Sequence, residues 1–176
     1  MRFQKTRISS PKSRRIRPTT GMVRKVLFDV IGPRIADTAF LDLFAGTGSV
    51  GFEAINRGAS SAVFVERDGI AVRLLRSNAE AAGSTNHCRI VRADAISYLK
   101  RQQEPSELDI VFADPPYQKG YLARLAKHLL AVDRFLDQLV AIQASSHELS
   151  SVVLPEQPNL RCKTIGDTVL ILREPD

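Results

Sequence analysis

The most pointed chemistry in this 176-residue sequence lies in Asp114-Pro115-Pro116-Tyr117. Proline has no N–H, so Pro115 and Pro116 offer only carbonyl acceptors on a stiff backbone. Together with the Asp114 carboxylate they form an acceptor set with no competing donor, the complement of an –NH2 group with two hydrogens to give. Tyr117 adds a flat ring on which a base can stack, a contact worth ~1–3 kcal/mol in nucleic-acid binders. An aromatic amine is a poor nucleophile because its lone pair is delocalised into the ring. Accepting both N–H hydrogens draws the nitrogen towards tetrahedral geometry and frees the lone pair for in-line attack, with positioning supplying much of the rate. Asp114 can stabilise the positive charge developing on nitrogen without first removing a proton. Taken alone, the same four residues could simply stop a strand.

Upstream, an apolar run passes through Asp42 into Leu43-Phe44-Ala45-Gly46-Thr47-Gly48-Ser49-Val50-Gly51. Gly46, Gly48 and Gly51 have the G-x-G-x-x-G spacing of a nucleotide loop, and Glu66 follows 20 residues after Gly46 at the end of the next apolar run. Glycines allow close backbone approach to a ligand, and a helix N-terminus favours negative groups. Glu66 is placed to accept from the two ribose hydroxyls of an adenosine. These features fit NAD and S-adenosylmethionine equally, and a structural glycine turn is the plain alternative. Asp42 favours S-adenosylmethionine, because a carboxylate beside the loop sits badly next to a pyrophosphate but suits an ammonium group. Asp94, at the end of the third apolar run, is in order to accept from an adenine amino group, to cap the helix that follows, or both.

These residues need a scaffold that brings strand ends together. Apolar runs at 39–44, 62–66, 89–92, 108–113 and 139–142 alternate with helical patterns at 50–56, 70–82, 96–102 and 121–130. Thr19 and Thr20 offer a cap for an earlier helix bearing Val23, Val26, Leu27, Val30 and Ile31, closed by Gly32-Pro33. Repeated strand–helix–strand units predict an α/β fold, with a mostly parallel central sheet and helices on both faces. Segments 161–165 and 168–172 around Gly166-Asp167 predict a C-terminal antiparallel hairpin.

The length suits one domain. The net charge is +6, and nine of the 25 basic residues fall between Met1 and Lys25 with no acidic residue among them. That leaves 16 basic against 19 acidic residues elsewhere, so the positive excess belongs to the N-terminal segment. Residues 1–17 read as a basic arm for nucleic acid or a solvated tail, and 18–176 as the folded domain. Cys88 and Cys162 lack metal-ligand spacing with any histidine, so neither a metal site nor a disulfide framework is expected. No apolar run approaches the ~20 residues of a membrane span, and the N-terminus has no signal-peptide apolar region. A cytoplasmic location with no membrane partner is expected.

Together, Arg17-Pro18-Thr19-Thr20, 41–48, Val65-Glu66 and Asp114–Tyr117 resemble the Rossmann-like class I methyltransferases. More narrowly, they resemble the bacterial small-subunit ribosomal RNA guanine-N2 methyltransferases, with Arg-Pro-Thr-Thr the family-specific part. The resemblance implies S-adenosyl-L-methionine as cofactor, held by Arg17, Thr19, Thr20, Asp42, Phe44, Ala45, Gly46, Thr47, Gly48, Glu66 with Arg67, and Asp94 with Ala95. It implies catalysis by Asp114, Pro115, Pro116 and Tyr117. The acceptor would be a guanine N2 amine of ribosomal RNA within a small-subunit assembly particle, and the enzyme a monomer. Three departures bear on substrate docking: the segment before Arg17 is short, Gly21 stands where an acid commonly follows, and Gln143 stands where the fifth strand usually ends in Glu. The rival readings are an adenine-N6 methyltransferase acting on RNA or DNA, an NAD-dependent oxidoreductase, and a non-catalytic RNA-binding protein that keeps the fold.

If the arm holds RNA phosphates, deleting Met1–Arg15 will leave the melting temperature nearly unchanged and flatten the dependence of RNA affinity on salt. A salt slope equal to that of the full chain would identify a solvated tail.

Overall fold

The computed structural model describes residues 21–101, 107–117 and 119–175. The arm, Arg17, Thr19 and Thr20 lie outside the described residues, as does Gln102 at the end of one expected helix. The first helix, α1 (Gly21–Ile31), buries Val23, Leu27, Phe28 and Ile31 on one face. Gly32 ends it at φ 58° and opens a short 3-10 turn, Gly32–Ile35, so Gly32-Pro33 closes the helix as expected.

Seven strands follow: β1 (Ala39–Leu43), β2 (Ser61–Glu66), β3 (Cys88–Arg92), β4 (Ile110–Ala113), β5 (Leu139–Ser145), β6 (Leu160–Ile165) and β7 (Thr168–Arg173). They form one sheet in the order β3-β2-β1-β4-β5-β7-β6. The first five run parallel, and β7 joins β5 and β6 antiparallel. The expected hairpin therefore forms around Gly166, which takes φ 59° in the turn. β5 runs three residues beyond the apolar stretch that suggests it, because β7 continues to pair with it through Gln143, Ala144 and Ser145.

Strand alternation sorts side chains between two cores. Leu41, Leu43, Val111, Ala113, Val140 and Ile142 face one layer, which contains α4 (Ala95–Arg101) and α5 (Tyr121–Leu125). Phe40, Phe64, Ile110, Phe112 and Ala141 face the other, packing on α1, α2 (Ser49–Asn56) and α3 (Gly69–Ala81). The expected helix at 121–130 is α-helical only to Leu125 and continues as a π-turn over Ala126–Leu130. Leu122, Leu125 and Leu129 are buried all the same, which is why their spacing alone could not reveal the change. Among the described residues, no helix is long and apolar enough to cross a membrane.

α2 packs closely enough to constrain its sequence. A Cβ at Gly51 would lie 2.3 Å from Cε1 of the fully buried Phe64 ring. Gly51→Ala should cost ~1–3 kcal/mol, the usual penalty for overpacking a core. A urea midpoint equal to that of the unsubstituted protein would show that the ring yields freely.

Candidate functional site

In open α/β sheets, ligands bind beyond the carboxyl ends of the strands where the strand order reverses. Here that point lies between β1 and β4, where Leu43 pairs with Ala113. The glycine loop leaves β1 and Asp114–Tyr117 leaves β4, so two segments 70 residues apart in sequence emerge side by side. The Asp114 N–H reaches the Leu43 carbonyl at 3.4 Å. A cavity of about 610 Å³ opens there, and its lining includes Phe44, Ala45, Gly46, Thr47, Glu66, Arg67, Ala95 and all four residues of the Asp-Pro-Pro-Tyr loop.

The loop after β1 is held in unusual backbone geometry. Phe44, Gly46 and Gly48 all have positive φ, at 60°, 56° and 84°. For a bulky phenylalanine this is an outlier, the kind of local strain that clusters at ligand sites. The Phe44 ring meets Tyr121 edge-on with centroids 4.9 Å apart. Gly48 begins α2, and a Cβ there would meet Phe52 at 2.5 Å. Gly48 lies beneath the cavity lining rather than in it.

Glu66 ties the loop to the end of β2. One carboxylate oxygen accepts from the Gly46 N–H at 2.9 Å and the other from the Asp68 N–H at 2.8 Å. Each oxygen keeps lone-pair capacity for a further donor, so Glu66 can shape the loop and still receive ribose hydroxyls.

Asp42, expected to meet the cofactor's ammonium group directly or through water, is turned away from the cavity. It alternates with Leu41 and Leu43, so its side chain turns to the α2 face, 2% exposed and outside the cavity lining. There it accepts from the Gly51 N–H at 2.9 Å. That donor is one of the first-turn N–H groups left without a helical partner, and Gly48 has no side chain with which to cap it. Asp42 supplies the missing cap from the neighbouring strand. Burial pushes its pKa up from 3.8 to about 8 against the lowering effect of the Gly51 bond, with Asp114 and Glu66 adding repulsion. Asp42 therefore carries a proton at neutral pH, and the acidic groups of the cavity lining are Glu66, Asp68 and Asp114.

Asp94 takes the capping role. Oδ1 accepts from the backbone N–H and hydroxyl of Ser97 at 2.9 and 3.1 Å. Oδ2 lies 3.4 Å from the Tyr121 hydroxyl, which also accepts from Arg67 at 3.1 Å. Partial burial opposes its charge, but the Ser97 hydrogen bonds, the charge of Arg124 and the Tyr121 hydroxyl hold its pKa below the usual carboxylate value. The cavity wall here is made by its neighbours Ala93 and Ala95. Tyr121 thus joins Phe44, Arg67 and Asp94, a role hidden in a sequence where it reads only as the start of a helix. Ser49, Asp68, Ala71, Lys119 and Thr168 also line the cavity without having been singled out, and Gln143, marked only as a departure, lines it too. Single residues of these types in loops, at strand ends or in a helix's first turn have no signature of their own.

With that geometry in place, the comparisons are specific. The family model described as "Conserved hypothetical protein 95" matches residues 2–174. The chain belongs to that family. It is 39% identical over 112 residues to the Escherichia coli protein named Ribosomal RNA small subunit methyltransferase D, a match covering 64% of this chain and 55% of that protein. The chain thus spans about half the length of that relative. The Haemophilus influenzae protein of the same name is 32% identical over 153 residues, covering 86% of this chain and 79% of that protein. A solved structure of a Thermus thermophilus hypothetical protein superposes with TM-score 0.78 at 31% identity, covering 98% of this chain and 95% of that one. The strand order and the C-terminal antiparallel pair are those of the Rossmann-like methyltransferase fold.

Asp42 makes stability depend on pH. Between pH 3.8 and about 8 the folded protein retains a proton on Asp42 that the unfolded chain has released. The stabilisation linked to that proton is present at the low end of the window and lost as pH rises through the folded pKa. Asp42→Asn keeps an acceptor for Gly51 without a charge, so it should flatten this decline. Urea midpoints measured at about pH 5 and pH 8 will show it. An unchanged slope would mean that Asp42 is ionised throughout.

Proposed function

We propose that the chain transfers a methyl group from S-adenosylmethionine to the exocyclic N2 amine of a guanine in small-subunit ribosomal RNA. The observation that carries this reading is the pairing, across the β1–β4 reversal, of a nucleotide-type glycine loop with a donor-free acceptor loop. The names of the two bacterial relatives point to the same substrate class.

The cavity's residues fit the cofactor. Glu66 has acceptor capacity for ribose hydroxyls, Ala93 and Ala95 make an apolar wall for a purine, and Phe44 to Thr47 line the same cavity. Glu66 and Asp114 line the cavity and lie near enough to Asp42 to keep it protonated, a local field that favours a cation over a pyrophosphate. When bound, S-adenosylmethionine supplies an electrophilic methyl group on a positively charged sulfur. Arg17, Thr19 and Thr20, which lie outside the described residues, are proposed to contact it.

The remaining chemistry belongs to the β4 loop. Pro115 is buried and Pro116 exposed, so the loop is anchored at one proline and open at the next. The Asp114 carboxylate and the proline carbonyls accept the amine hydrogens and hold its lone pair in line. Asp114 stabilises the charge that develops on nitrogen. Tyr117 offers its ring to a base turned out of the RNA, and that stacking offsets the lost stacking in the RNA. The basic arm would supply phosphate contacts on a ribosomal particle, with the chain acting as a monomer.

The test is tritiated methyl incorporation into unmodified small-subunit particles and naked ribosomal RNA, followed by nucleoside mass spectrometry. N2-methylguanosine is the expected product, and N6-methyladenosine would move the function to adenine. Asp114→Ala should abolish transfer while S-adenosylhomocysteine binding survives in calorimetry. Binding of NAD, with none of either methionine nucleoside, would overturn the reading altogether.

A further inference from the structure

β5 brings into the cavity a residue that the acceptor loop's own sequence does not suggest. Gln143 lies one residue beyond the last parallel pair, Ala113 with Ile142, and is held on its other side by pairing with Leu170 of β7. It is 5% exposed, yet it lines the same cavity as Asp114–Tyr117. Its Nε2 donates to the Tyr117 hydroxyl at 3.0 Å. Its Oε1 is buried and has no hydrogen-bond partner among the described residues.

These facts fit poorly with a glutamine kept for packing. A buried amide that leaves its carbonyl oxygen unpaired weakens the fold, and an apolar side chain of similar size would avoid that cost. What the amide achieves is a link from a strand paired on both sides to an aromatic ring on a loop. Tyr117 follows two prolines and is only half-buried, so packing constrains it less than the strand constrains Gln143. We propose that Gln143 is the positioning residue for Tyr117, holding the ring, through its hydroxyl, in the orientation that receives the base. The inference rests on the proposed methyl transfer, and it makes the Tyr117 hydroxyl matter as well as the ring face.

Gln143→Leu has nearly the same shape, suits the buried position and cannot hold the hydroxyl. It should lower kcat/KM for RNA roughly 10- to 100-fold, the scale of a misplaced reacting group. The affinity for S-adenosylhomocysteine should not change, and the melting temperature should stay level or rise. Tyr117→Phe should show a similar loss, and the double variant should be no worse than either, since both break one link. Gln143→Glu should restore most activity, because a carboxylate accepts from the tyrosine hydroxyl. Fluorine NMR of the 3-fluorotyrosine-labelled protein reads the anchor without any substrate. The Tyr117 resonance, identified by its loss in Tyr117→Phe, should shift or broaden in Gln143→Leu. An unmoved resonance, or losses that multiply in the double variant, would overturn the inference whatever the RNA product. N6-methyladenosine from the wild-type protein, with the resonance still moved, would overturn the guanine reading alone.

Discussion

β1 pairs in parallel with both β2 and β4, and the chain leaves it first towards one edge of the sheet and later returns on the other side. The connections on either side therefore diverge, leaving a crevice at the carboxyl ends that neither helical layer covers. Among the described residues, the candidate catalytic and cofactor-binding groups gather around that crevice. The glycine loop, Glu66, the Asp94 turn and the Asp-Pro-Pro-Tyr loop come from four different strand ends, and the sheet register alone makes them neighbours. A slip of one residue between β1 and β4 would send each strand's side chains to the opposite face. It would also separate Asp114 from the loop it adjoins.

The wall of the crevice depends on carboxylates doing backbone work. Asp42 caps α2 from beneath, and Glu66 fastens the Gly46 and Asp68 amides from the side. Asp94 caps α4 and receives Tyr121. Each is satisfied chiefly by N–H and O–H donors rather than by a basic partner; Asp42 keeps its proton at neutral pH, and Glu66 and Asp114 face the cavity where a cationic nucleoside is proposed to sit. The same arrangement makes the raised Asp42 pKa intelligible. A buried acid near two other carboxylates keeps its proton more readily than it would in water.

Rigidity differs between the two sides of the site. The cofactor side is fixed by helix caps and by close contacts around Gly48 and Gly51. The acceptor side is a short loop that takes its order from Pro115, buried in the fold, and from Gln143 on a paired strand. The proposed chemistry suits this division, since the cofactor side can stay fixed while the acceptor side admits a base from RNA.

Much of this was legible in the sequence, because some constraints are local. Alternating apolar runs and helical patterns identified the five parallel strands and the hairpin, and Gly46-x-Gly48 and Asp114-Pro115-Pro116-Tyr117 declared themselves by composition. Proline's missing N–H and glycine's freedom at positive φ are properties of single residues, readable without coordinates. Direction and partnership are not. Whether Asp42 faces the ligand or the helix depends on strand alternation relative to α2. The turn from α- to π-helix at Ala126 leaves the apolar spacing intact, so periodicity could not detect it. Tyr121 and Gln143 gain their roles only from hydroxyl and amide partners 26 to 54 residues away. The sequence by itself determined which chemistries were available and the order of the elements. The tertiary structure decided which side chains share the cavity and which stay beneath it, because strand register and burial set those distances and no local pattern encodes them.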